Sequence, residues 1–137
     1  MHPKLLIASS LLLGACADIN PPKVVDVTVV TDGVAGTVTD VSYISETTIN
    51  EDVPVDATLR LTFDEPVQLS SVESRVRLFD DSEEPFELAF SQRLDAIDVS
   101  AIDGFGQGNH ILEVDNGIED ASGNPTIQNY DIVFFVP

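Results

Sequence analysis

The chain has 137 residues, with 24 Asp and Glu against 6 Lys and Arg, for a formal net charge of −18. That balance excludes nucleic-acid binding, because phosphate recognition depends on clustered Lys and Arg. A single cysteine leaves no internal disulfide to form, and the length suits one domain able to bury a core without metals or cross-links.

The chain starts Met1-His2-Pro3-Lys4, runs through the apolar stretch Leu5 to Leu13, and reaches Gly14-Ala15 before Cys16. A positive start, a short apolar core and a small-residue cleavage site define an export signal. Spanning a bilayer takes about 20 apolar residues, so this stretch is too short for a transmembrane helix. Leu13-Gly14-Ala15-Cys16 resembles the bacterial lipobox. The resemblance implies diacylglycerol on the Cys16 thiol, cleavage before that residue and a further acyl chain on the freed amine. Cys16 is then an anchor and not a catalyst, and two or three acyl chains hold far more durably than one. Residues 1–15 are read as the signal peptide, 16–23 as the lipidated cysteine and tether, and 24–137 as the domain. The lipoprotein sorting pattern of Gram-negative cells reads aspartate directly after the cysteine as inner-membrane retention. Ala17 stands there and Asp18 follows, which points to the outer membrane in such a host.

Pro21-Pro22 lies in the tether, whose seven residues reach only about 20 Å when extended. Downstream, Val, Ile, Thr and Phe alternate in short segments between Gly, Pro, Asn and Asp, with no sustained helical period. Strands are expected near Val24–Val30, Thr37–Ile44, Ala57–Asp64, Arg75–Phe79, Phe86–Ser91, Asp95–Ile102, His110–Asp115 and Ile127–Val136, with one helical turn at Val72-Glu73-Ser74. Leu59, Leu61 and Phe63 share one face and Thr58, Arg60 and Thr62 the other, as a half-buried strand requires. The last strand is apolar on both faces, which predicts a central position. The fold class is all-β, an Ig-like β-sandwich of about seven or eight antiparallel strands.

Four segments resemble the bacterial Ig-like domain of SbsA type, found in S-layer and other envelope proteins. They are Asp52-Val53-Pro54-Val55, Leu59 to Val67, Gly108 to Val114, and Ile118 to Pro125. The family pattern runs "V-P-V", "T-F-S-E-P-V", "L-x-x-G-x-Y-x-L-x-V" and "D-x-x-G-N-P". Here Asp64 replaces the usual serine, His110 stands where an aromatic is common, and Thr31 to Asn50 resembles an insertion. The resemblance covers roughly residues 21 to 137 and implies a β-sandwich in a structural or protein-interaction role.

The chemistry-bearing residues are few. His110 falls in an expected strand and reads as a surface or sheet-facing histidine, not a base or ligand. Neither a Gly-x-Ser-x-Gly elbow nor His-Glu-x-x-His is present. Gly104-Phe105-Gly106-Gln107-Gly108 precedes a strand and not a helix, so it is a turn and not a phosphate loop. The pairs Asp64/Glu65, Asp80/Asp81 and Glu83/Glu84 could do acid–base work only in a cleft that separates their pKa values. Carbohydrate binding lacks a tryptophan platform, leaving Tyr43 and Phe105 as exposed aromatic candidates. Asp95 and Asp98 are candidates for protecting strand edges, which could otherwise recruit a partner strand.

Carboxylates and carbonyls suit calcium, and Asp115, Glu119, Asp120 and Asn124 are the candidate ligands, although their spacing lacks the EF-hand ladder. The leading expectation is a non-enzymatic, lipid-anchored envelope protein that carries no cofactor beyond the lipid on Cys16. Its partners are the membrane and an envelope protein or surface component. A calcium-dependent adhesion or surface-binding module is the alternative, and a small carboxylate hydrolase comes third.

Overall fold

Period-two alternation gives each strand one apolar face, and two such faces exclude water only when the sheets pack together. The computed structural model describes residues 19–31 and 53–137, arranged in that way. The expected strand Thr37–Ile44 lies outside the described residues. Strands β1 (Val24–Val30), β2 (Thr58–Phe63), β3 (Val76–Asp80), β4 (Leu88–Gln92), β5 (Ala96–Ala101), β6 (Gly108–Val114) and β7 (Tyr130–Val136) are joined by one short helix, α1 (Leu69–Glu73). One sheet runs β1-β2-β5-β4 and the other β3-β6-β7, with every pairing antiparallel.

The core lies between the sheets. Val27, Leu59, Leu61, Ile97 and Val99 from one meet Leu78, Leu112, Val114, Ile132 and Phe134 from the other in a single buried cluster. In β1 a register shift between Val24 and Asp26 sets two outward residues, Val25 and Asp26, between the inward Val24 and Val27. This bulge lets the strand begin and continue on the core face.

Several expectations change. β7 is apolar on one face and half-buried on the other, yet it is not central among the described strands: β6 is, between β3 and β7. The Val53 N–H donates to the Phe135 carbonyl (3.1 Å), so an irregular segment meets β7 near its end. The expected strand at Phe86 starts at Leu88, because Pro85 and Phe86 turn to the other sheet: Pro85 bridges Phe79, and the Phe86 N–H donates to the Leu78 carbonyl. β7 starts at Tyr130, and Ile127 is exposed in the loop before it. The helical turn covers Leu69–Glu73, with Val72 its buried residue.

The connections sort into two ends of the sandwich. At one end lie Lys23, the segment from Phe63 to α1, the β4–β5 turn and the β6–β7 loop. They are joined by Asp64 N–H to Lys23 O (3.0 Å), Phe63 N–H to Asp95 O (2.8 Å), and Gln68 N–H to Glu119 O (2.8 Å). At the other lie Val53 to Asp56, the β3–β4 connection and the β5–β6 loop, joined by Phe105 N–H to Val55 O (2.9 Å). The first is called the proximal end, because the chain arrives there from Cys16.

Candidate functional site

The Asp120 loop belongs to the proximal end. Asp120 is fully buried. Its Oδ1 accepts the N–H groups of Ser122 (2.9 Å) and Asn124 (2.8 Å), and its Oδ2 accepts Asn124 Nδ2 (3.1 Å). Gly123 takes φ 87°, the left-handed turn that glycine allows without a Cβ clash. Gln68 Nε2 donates to the Asp120 carbonyl (2.8 Å), and Val67 bridges Asp120, so the loop is tied to the crossover after β2. Of the four candidate calcium ligands, Asp120 and Asn124 are brought together, as donor and acceptor to each other. Asp115 turns instead to Arg77 (2.6 Å), and the Glu119 N–H donates to Ser71 Oγ (3.0 Å). Among the described residues no three His, Cys, Asp or Glu are grouped so as to hold a metal ion. The arrangement makes Asp120 the organiser of its own loop.

The far end holds His110 and an open groove. His110 is buried, not on the surface, with Nε2 2.6 Å from the Phe105 carbonyl oxygen and Nδ1 2.9 Å from that of Gly108. Its ring stacks on Phe134 (centroids 5.1 Å, interplanar 9°), with Phe86 and Phe105 around it. Histidine thus fills the place of the family's aromatic residue, and both ring nitrogens face main-chain carbonyls in the core, a geometry unsuited to general-base work. Phe105 is buried in the same cluster, which removes it as a carbohydrate platform. Tyr43 and Cys16 lie outside the described residues. Gly104 and Gly106, at φ 79° and 76°, confirm a glycine turn in this segment.

Beside this cluster an open cavity of about 320 Å³ is lined by Ser82, Glu84, Phe86, Glu87 and Asp103, among others. Of the acidic pairs near it, Asp80 has a structural partner. Asp80 accepts both the N–H and the hydroxyl of Ser82, which together hold its carboxyl below the usual carboxylate range. Glu83 sits at φ 65° in the same turn. Asp64 accepts the Lys23 N–H (2.9 Å), which ties the crossover after β2 to the incoming chain.

On the outer face of the four-stranded sheet, Arg60 donates to both oxygens of Asp98 (2.7 and 3.1 Å) from the strand beside it, and Arg93 adds a third bond (2.9 Å). β5 pairs with β2 and β4, so Asp98 is interior to its sheet and does not protect an edge. Burial works to raise the Asp98 carboxyl, but the hydrogen bonds and charges of Arg60 and Arg93 outweigh it and hold the carboxyl below its ordinary range. A group depressed on folding stabilises above its unfolded pKa, and that contribution is lost as pH falls through the folded value. Asp98→Asn is therefore expected to lose about 2 kcal/mol at pH 7, in the range for hydrogen bonds to charged groups. Urea melts of the two proteins should converge as pH drops below about 4; a gap unchanged by pH would contradict the ion-pair account.

Two antiparallel sheets pack in this order, and a "D-x-x-G-N-P" loop organised by the buried Asp120 closes one end. Residues 18–136 match the bacterial Ig-like domain family. The chain belongs to that family. Such Ig-like domains are typically non-enzymatic β-domains. No curated protein matches the chain. Among the described residues no helix is long and apolar enough to cross a membrane.

Proposed function

We propose that this protein is a lipid-anchored component of the bacterial cell envelope, with an Ig-like domain of the SbsA type serving a non-catalytic structural or protein-interaction role. The observation that carries the reading is the coupling of Leu13-Gly14-Ala15-Cys16 to a family-matched sandwich beginning only a few residues later. An anchor so near a folded domain restricts it to within about 20 Å of the lipid. The outer membrane is the expected location in a Gram-negative host, since Asp18 is displaced by one position from the retention site.

Cys16→Ala tests the anchor. Cells fed a labelled fatty acid should incorporate label into the parent protein and none into the variant, which should appear soluble or unprocessed. Acyl label that persists in the variant would refute it.

A further inference from the structure

We propose that the proximal end of the sandwich rests on the lipid surface through Ile19, Leu94 and Ile127, with the opposite, acidic end pointing away from it. This rests on the lipid-anchor reading of Cys16.

Three large aliphatic side chains stand in solvent at the proximal end, Leu94 at 83%, Ile19 at 74% and Ile127 at 70% exposure. Singly exposed apolar residues are ordinary; their placement is what matters here. Leu94 occupies the β4–β5 turn, Ile127 the β6–β7 loop and Ile19 the incoming chain, so both sheets contribute to one end. Ile19 follows Cys16 by three residues, about 10 Å of extended chain. A contact too weak to hold a free protein becomes intramolecular once the domain is tethered, so a few side chains suffice.

Both ends carry many carboxylates, and they differ in their cations. Lys23, Arg75, Arg77 and Arg93 lie at or beside the proximal end. There they are interspersed with acids, and Arg93 and Arg77 are paired with Asp98 and Asp115. At the far end Asp80, Asp81, Glu83, Glu84, Glu87 and Asp103 have no Lys or Arg among them in the described residues. An anionic lipid surface repels that end more strongly, within a Debye length of about 8 Å. The exposed aliphatics at that end, Val55 and Ile102, are less exposed, at 48% and 57%.

The test uses full-length acylated protein in vesicles of phosphatidylethanolamine and phosphatidylglycerol doped with nitroxide lipid. Single fluorophores are placed at Leu94→Cys, Ile127→Cys, Val55→Cys or Ile102→Cys, and Cys16 acylation is verified by mass. Quenching should be several-fold stronger at positions 94 and 127 than at 55 and 102. Equal quenching at all four, or stronger quenching at 102, on protein with acylated Cys16 would overturn the orientation and leave the anchor standing. Absence of both acyl mass and vesicle association would overturn the anchor, and the orientation with it.

Discussion

Asp120→Ala is expected to destabilise the domain by about 3 kcal/mol, lowering its melting temperature by roughly 10 °C. The alanine removes the buried carboxylate that accepts the Ser122 and Asn124 N–H groups and Asn124 Nδ2, three bonds to one charged group. Hydrogen bonds to a charged group contribute about 1.5 to 3 kcal/mol each, and water reaching the part-buried donors offsets some of the combined loss. The damage should spread to the crossover after β2, because Gln68 holds the Asp120 carbonyl across 52 residues of sequence. Asp120→Asn is the informative partner. It keeps an oxygen for the two N–H groups and sets an amide against the Asn124 amide, so about half the loss is expected. A melt of Asp120→Ala within 2 °C of the parent, against the scale of several degrees per kcal/mol, would contradict the organiser role.

Phe134→Ala is expected to act at the opposite end with a similar or larger effect, about 3 to 5 kcal/mol. Phe134 is fully buried, meets Phe105 edge-on (centroids 5.1 Å, 66°) and stacks flat on His110. Its removal opens a cavity beneath a histidine whose ring is fixed by two main-chain carbonyls, so the site cannot easily collapse. Against a total stability of roughly 5 to 15 kcal/mol, such a loss leaves a measurable unfolded fraction. Urea denaturation checks the magnitude, and the His110 ring resonances check the location, since they lose the ring-current shift of a stacked phenyl. Phe135→Ala, on the half-buried face of the same strand, should cost less. Equal losses at the two positions would mean that the sheet packing is misassigned.

The sequence was most informative where one strand's own alternation settles the matter. Val24–Val30 has the bounds expected of it, and Leu59, Leu61 and Phe63 point inward as their spacing demands. Alternation states which face is buried and not which strand lies alongside. Among the described strands β7 is not central despite its apolar faces, and Asp98, a candidate for edge protection, faces Arg60 on the next strand. Phe86 shows the same limit. Its apolar spacing with Leu88 and Phe90 is genuine, but Pro85 and Phe86 bond to β3 across the sandwich. His110 was unreadable as a core residue because a polar ring enters the core only when distant carbonyls receive it, and Phe105 supplies one from a loop. The glycine and Asp-Asn punctuation of the 120–125 turn was legible, whereas the Gln68 tie that fixes it is a long-range contact. The proposed anchor, Cys16, is legible only as a local motif, because the chemistry proposed for it is an event of processing.

The central claim is that this Ig-like domain is held at a membrane by lipid on Cys16. It is tested most directly by the mass of the N-terminal peptide of the mature protein recovered from bacterial membranes. The account predicts a peptide that begins at Cys16 and carries diacylglycerol on sulfur. A peptide that retains residues 1–15, or that holds Cys16 as a free thiol, would contradict it.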